Sequence, residues 1–253
     1  LLAALRRHAD VIQISSGFGS YLFRLPIVIT RLLLERQAFD LLFVGFLAQP
    51  IVPFAHFRHR KPLVVDMFIS VYETLCYDRR VVRPGSLVGR VSRWLDEFSC
   101  SQAVKVLAAT PLDAKFFSET FGVCREDVVP LYLSSNEDIF QPQGSKPPSD
   151  HFRVLYYCSF LPPQGADVVV RASKLLEDEG VVFRVIGKGI ERPRVDKLAA
   201  QIGLRNCEFI DWVAHDKLPR EIEAADVCLA GHFAADNDKA RRAIPGRAFE
   251  LLA

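Results

Sequence analysis

The sequence predicts an α/β protein of two Rossmann-like, doubly wound domains facing each other across a cleft, residues 1–143 and 144–253, both incomplete at their outer ends. Three observations predict this. In the rear half, four short apolar runs (Arg153–Phe160, Val181–Ile186, Cys207–Ile210 and Asp226–Ala230) alternate with helix-like segments. That alternation is the signature of a parallel sheet with crossover helices. The front half alternates in the same way. Between them, Gln141–Asp150 holds three prolines among polar residues and reads as an interdomain linker.

The front elements follow in order. Leu1–His8 reads as the end of a helix and Asp10–Ile14 as a strand, with a Ser/Gly loop after it. Tyr21–Gln37 is helical, with Pro26 kinking or starting it. Asp40–Phe46 and Pro62–Met67 are strands, and Ile69–Arg83 is a polar, irregular loop of functional length. Pro84–Gln102 is a helix with proline near its first turn. Lys105–Ala108 is a strand. Thr110 caps the next helix, with Pro111 at its first position, and Asp127–Leu133 closes the layer.

The bulk numbers exclude several classes. Lys and Arg total 32 against 30 Asp and Glu, so a net charge of +2 gives no reason to expect nucleic acid as a partner. The six cysteines lie far apart with no CxxC pair, which implies free, partly buried thiols in a reducing, cytoplasmic compartment. No apolar run reaches the roughly 18 residues of a bilayer span. The nearest, Phe39–Phe57, is broken by Gln49, Pro50 and Pro53. It reads as a buried strand, with peripheral contact at the inner face of a membrane as the alternative. Met67 is the sole methionine, and the chain starts inside a helix-like segment, so an internal fragment of a longer protein is expected.

The loops after the rear strands carry the candidate chemistry, because in such sheets ligands sit beyond the carboxyl ends of the strands. Gly187-Lys188-Gly189 follows one strand; it is either a bare tight turn or a close backbone approach to a ligand with Lys188 as a point charge. Arg241, Arg242 and Arg247 cluster where a last helix starts after Pro245. Cations there oppose the helix dipole unless an anion binds; a solvated basic loop is the other reading. Glu250 lies one turn after Arg247 and suits either the hydroxyls of a ribose or a surface ion pair with Arg247. Trp212 and Val213 form a base-stacking loop or part of the core, and His232 touches a ligand or is structural. In the front half, Asp66 and Glu73 are candidates for sugar positioning or base catalysis, against a loop held by Asp–Arg pairs. No P-loop, HExxH or GxSxG occurs, and no cysteine–histidine metal spacing, so no metal is assigned.

The ordered series of these segments is similar to a known family. Phe152–Tyr157, Pro163-Gln164-Gly165, Val185–Gly189, Phe209–Val213, Ala225–Leu229 and Ile244–Glu250 resemble the donor-binding domain of GT-B-fold glycosyltransferases of family 4, the glycosyl transferases group 1. Asp66–Thr74 with Asp78-Arg79 resembles the acceptor-side domain of one bacterial branch, and Thr110-Pro111 and Phe140-Gln141-Pro142 fit its last helix and exit. The resemblance implies metal-free, retaining transfer of a sugar from a UDP- or GDP-linked donor to a saccharide, lipid-linked or protein acceptor. It places the ribose on Glu250, the diphosphate near Lys188 and Arg247, and the base by Trp212-Val213. Three departures accompany it. Arg242 stands where a second glutamate is usual, Cys158–Gly165 lacks an Arg–Lys pair, and Phe68 stands near a usual histidine. The resemblance therefore gives Arg241, Arg242 and Arg247 the leaving-group charge. A non-catalytic binding protein or a sugar-nucleotide epimerase on the same fold is the alternative.

Overall fold

The computed structural model describes residues 2–142, 144, 146 and 148–253. The front lobe runs α1 (Leu2–Leu5), α2 (Tyr21–Leu34), β1 (Leu42–Val44), a 3-10 turn into α3 (Val52–His59), β2 (Leu63–Asp66), α4 (Val71–Glu73) with a π turn to Asp78, α5 (Leu87–Gln102), β3 (Lys105–Ala108), α6 (Pro111–Phe121) and β4 (Val128–Pro130). Its strands are parallel in the order β1-β2-β3-β4. The register places Val44 opposite Val65, Val65 opposite Val106 and Val106 opposite Val128. One row of four buried valines therefore crosses the whole sheet. Branched side chains pack well there because both faces are covered.

The rear lobe runs β5 (Phe152–Tyr157), a 3-10 turn, α7 (Ala166–Leu175), β6 (Val181–Ile186), α8 (Arg192–Gln201), β7 (Cys207–Ile210), α9 (Leu218–Glu223), β8 (Val227–Cys228), α10 (Asp238–Arg242) and α11 (Gly246–Leu252). These strands are also parallel, in the order β7-β6-β5-β8. From β5 the chain moves one way to β6 and β7, and later returns to the other side as β8. The order thus reverses at β5, and a crevice opens between the carboxyl ends of β5 and β8. Tyr156, Phe160, Val170, Phe183 and Val185 fill the core beneath it.

Several sequence expectations need correction. Asp10–Ile14 forms no strand; Ile12 and Gln13 are exposed, so the segment has no buried face to hold it in a ladder. Asp40–Phe46 and Asp127–Leu133 shrink to β1 and β4. Tyr21–Gln37 stops at Leu34, with Pro26 inside the helix. The prolines that interrupt Phe39–Phe57 sit in the first turns of a 3-10 turn and of α3, so half of that apolar stretch is helix. Ile69–Arg83 is helical as far as Asp78. The domain boundary at Gln143 and part of the linker lie outside the described residues. All six cysteines are free; Cys76 and Cys100 are buried and Cys124 is exposed. No described helix is long and apolar enough to cross a membrane.

The segment after β2 is helical because a buried carboxylate caps it. Asp96 on α5 accepts hydrogen bonds from Ser70 Oγ at 2.6 Å, Tyr72 N at 2.8 Å and Val71 N at 3.1 Å. Ser70 Oγ in turn accepts from Glu73 N at 3.0 Å. Burial pushes the Asp96 carboxyl up to about 6, against the pull of those three donors. Asp96→Ala leaves the donors buried without an acceptor and is expected to cost about 2 kcal/mol at pH 7.5. The folded-state value lies above the unfolded one, so Asp96 stabilises most below about pH 4 and loses that contribution as the pH rises through about 6. The penalty read by urea unfolding should therefore be larger at pH 4.5 than at pH 7.5.

Candidate functional site

A cleft of about 510 Å³ lies between the lobes, at the carboxyl ends of both sheets. Phe68, Ile69, Glu73 and Asp113 line it from the front lobe. The rear wall is made by the ends of β5, β6 and β7 and by the start of α11.

Arg247 closes the switch point. Its side chain is buried, with 7% exposure. Nε donates to Ala230 O at 2.8 Å, Nη2 donates to Gly231 O at 3.1 Å, and Nη1 donates to Tyr157 O. The guanidinium lies 4.8 Å from the centre of the Tyr156 ring. A solvated basic loop is therefore not what forms here: Arg247 stitches α11 to the ends of β5 and β8. One turn on, Glu250 Oε2 accepts from Tyr157 Oη at 2.7 Å, and Oε1 lies 3.7 Å from His215 Nε2. Burial raises the Tyr157 hydroxyl's pKa, and the bond to Glu250 raises it further, so that hydroxyl stays a donor. Glu250 pairs with Tyr157 rather than with Arg247. Sequence reading missed Tyr157 because nothing in its spacing marks it.

The glycines of Gly187-Lys188-Gly189 have a packing cause. Gly187 sits at φ 132°, and a Cβ there would lie 1.8 Å from Cys158 O. At Gly189 a Cβ would lie 1.9 Å from Ser159 O. The loops after β5 and β6 thus touch backbone to backbone. Arg192, also unmarked in the sequence, donates to Gly187 O at 2.6 Å and lies 3.2 Å from Asp211. Lys188 is exposed and lines the cleft, whereas Gly189 does not. Trp212 is 68% exposed at the mouth, so it is not core, and Val213 lines the wall beside it. His232 faces the cleft with Nδ1 buried and without a hydrogen-bond partner. Burial first, then Arg247 and Lys239, lower its pKa to about 4, so the ring is neutral at pH 7.

The acidic segment is held by the opposite lobe. Arg242 Nη2 donates to the buried Glu73 Oε1 at 2.5 Å, and Nη1 lies 3.6 Å from Asp113 Oδ1. The Arg242 guanidinium lies 3.6 Å from the Phe116 ring centre, and its carbonyl accepts from Thr110 Oγ1 at 2.9 Å. Lys239 pairs with Asp78. Burial raises the carboxyls of Glu73 and Asp113, and these cations pull both back. Arg242 does not line the cleft. Neither does Asp66, whose Oδ1 accepts from Phe68 N at 3.0 Å and closes the turn after β2. The cleft thus brings together Glu73, Gly187, Lys188, Trp212, Val213, His232, Arg247 and Glu250, and leaves out Asp66, Gly189 and Arg242.

Known proteins resemble this chain in sequence and in fold. Residues 137–233 match the sequence profile of the family described as glycosyl transferases group 1, so the likeness read from the sequence is borne out over that stretch. A 76-residue stretch is 34% identical to the putative colanic acid biosynthesis glycosyl transferase WcaI of Escherichia coli K12. That match covers 30% of this chain and 19% of that protein. Among solved structures, HepE of Anabaena in complex with UDP and glucose superposes with a TM-score of 0.60 at 18% identity, covering 90% of this chain and 62% of HepE. Sucrose-phosphate synthase of Thermosynechococcus elongatus gives 0.61 at 15% identity, over 75% and 49%. The chain spans about a fifth of the curated relative and under two thirds of these structures. The fold is the two-lobed GT-B arrangement.

Two outcomes follow for the site. Arg242→Ala leaves Glu73 buried and unpaired and is expected to cost about 3 kcal/mol in urea unfolding, whereas Glu73→Gln with Arg242→Met costs distinctly less than the sum of its singles. His232, with its folded value below the unfolded one, stabilises above about pH 6.5 and loses that contribution as the pH falls toward about 4. His232→Gln should therefore flatten the loss of stability between pH 6.5 and 4.5.

Proposed function

We propose that the cleft binds a nucleotide diphosphate sugar and that the full-length protein transfers the sugar to an acceptor, with retention and without a metal. The Glu250–Tyr157 pair at the switch point carries this reading. Its carboxylate is fixed at the rim by a donated hydroxyl and keeps lone pairs for the two hydroxyls of a ribose. Trp212 offers an exposed face for the base. Lys188 has no ion-pair partner among the described residues and reaches the cleft, so it takes the diphosphate. Arg247 adds positive potential from within the wall rather than a direct contact, because its donors are bound to carbonyls. Neutral His232 presents a free Nδ1 toward the sugar.

In the transfer, the bond between the sugar's C1 and the diphosphate oxygen breaks, and the electron pair leaves with the diphosphate. The acceptor oxygen bonds to C1 on the same face and gives up its proton to the departing diphosphate oxygen. Lys188 and the field of Arg247 stabilise the leaving charge. Glu73, locked to Arg242, keeps a carboxylate on the acceptor side of the cleft. HepE, solved with UDP and glucose, supports this reading by likeness of fold.

One observation favours a second reading, a binding protein without turnover. Arg242 is spent on Glu73, and no Arg–Lys pair follows β5, so charge neutralisation is thinner than the resemblance implies. Titration calorimetry of the full-length protein with UDP and with GDP separates the outcomes. One nucleotide should bind in the micromolar range. Glu250→Ala should weaken it about tenfold or more, and Lys188→Ala by a similar factor, as befits lost charge-assisted contacts of roughly 1.5–3 kcal/mol. Binding of neither nucleotide, or binding unchanged by Glu250→Ala, refutes the site. Donor turnover that survives EDTA supports the enzyme; nucleotide binding without turnover across an acceptor panel supports the second reading.

A further inference from the structure

The corner of the cleft where the lobes meet is acidic. Glu73, Asp78 and Asp113 of the front lobe are all buried there. Local backbone sets their places. Ser70 caps the turn that holds Glu73. A π turn, closed by Arg79 N donating to Thr74 O at 2.9 Å, brings Asp78 round to the same side. Asp113 stands in the first turn of α6, where a carboxylate suits the helix dipole, and its Oδ2 accepts from Thr110 Oγ1 at 3.1 Å. The cations beside these groups are committed: Lys239 pairs with Asp78, and Arg242 with Glu73 at 2.5 Å. Three carboxylates therefore stand against two cations, which leaves the corner one negative charge in excess.

Part of this cluster opens on the cleft. Glu73, Asp113 and Lys239 line it, and Asp78 and Arg242 do not. Glu73 Oε1 and Asp113 Oδ2 are bonded within the protein. Glu73 Oε2 and Asp113 Oδ1 receive no hydrogen bond among the described residues; Arg242 Nη1 stays 3.6 Å from the latter. Burial dominates the pKa of His232, Glu73 and Asp113, and Lys239 lowers all three, so these groups share one corner. A ligand hydroxyl brings a proton to a carboxylate oxygen, which only accepts. A ligand carboxylate instead brings like charge into a buried, already acidic place. Unpaired like charge is a common means of rejecting a wrong ligand.

We infer that Glu73 and Asp113 hold hydroxyl groups of the transferred sugar and restrict the donor to neutral sugars, selecting against hexuronates. This rests on the nucleotide-sugar reading above and names the class of sugar that it leaves open. With the diphosphate on Lys188 at the rear rim, the sugar lies between the rear wall and the front lobe. Glu73 and Asp113 are the charged groups that the described front lobe contributes to the lining.

Titration of the full-length protein at pH 8 with UDP-glucose and UDP-glucuronate, which differ only at C6, tests it. GDP-mannose and GDP-mannuronate serve in the same way for a guanine-selective site. The neutral sugar nucleotide should bind about tenfold tighter or more. Asp113→Asn and, separately, Glu73→Gln remove a charge and keep the shape, and each should narrow that ratio by about threefold or more. The ratio is read within one variant, so a general loosening of the fold cancels, and circular dichroism confirms folding. A ratio that narrows in only one variant assigns the selection to that carboxylate. The inference is overturned by equal binding of the neutral and acidic sugars, by tighter binding of the uronate, or by a ratio unchanged in both variants, which gives the selection to size rather than charge. Failure of UDP and GDP alike to bind is a different result: it removes the nucleotide reading itself, and this inference with it.

Discussion

The guanidinium of Arg247 is the point on which the rear lobe's geometry rests. A parallel sheet whose strand order reverses leaves two adjacent strand ends diverging, with carbonyls that no neighbouring strand satisfies. Arg247 meets carbonyls from both sides, Tyr157 on β5 and Ala230 and Gly231 beyond β8, and does so from the first turn of α11. Planar, multiply donating and permanently charged, arginine suits this in a way lysine does not. Tyr157 is then doubly committed. Its carbonyl accepts from Arg247 and its hydroxyl donates to Glu250. The position of the rim carboxylate is thus a consequence of how the sheet is closed.

Buried charge pairs join the two lobes. Glu73, Asp78 and Asp113 are buried front-lobe carboxylates, and their cations, Arg242 and Lys239, come from α10 of the rear lobe. Such pairs contribute little net stability, because desolvation offsets most of the attraction, but they are costly to break singly. They fix which residues of the two lobes face each other. They also explain why α10, only five residues long and with no fully buried side chain, is well placed.

The rear sheet was legible because its strands are short apolar runs alternating with helix-like segments; β6 and β7 match the expected bounds residue for residue, while Asp226–Ala230 shrinks to β8. The front lobe was less so. The run at Asp10–Ile14 has strand composition but no buried face, and prolines that seemed to break Phe39–Phe57 in fact start helical turns. The helical turn after β2 depends on Asp96, some 25 residues later, and no local pattern reveals such a cap. Lys188, Trp212, Arg247 and Glu250 line the cleft, and they were legible as candidates because they sit at strand ends or a helix start. Tyr157 and Arg192 were missed because their roles come from side-chain partners distant in the chain. Arg242 was placed in the cleft by its neighbours in sequence, and packing turned it onto Phe116 instead.

The backbone contact between the loops after β5 and β6 constrains motion as well as sequence. With no side chain at Gly187 or Gly189, the carbonyls of Cys158 and Ser159 occupy the space that other residues would fill. The ammonium of Lys188 is therefore mounted on two interlocked loops rather than one. Any recoil of that charge when an anion arrives or departs must drag the Ser159 loop with it, so the rim answers as a single mechanical unit.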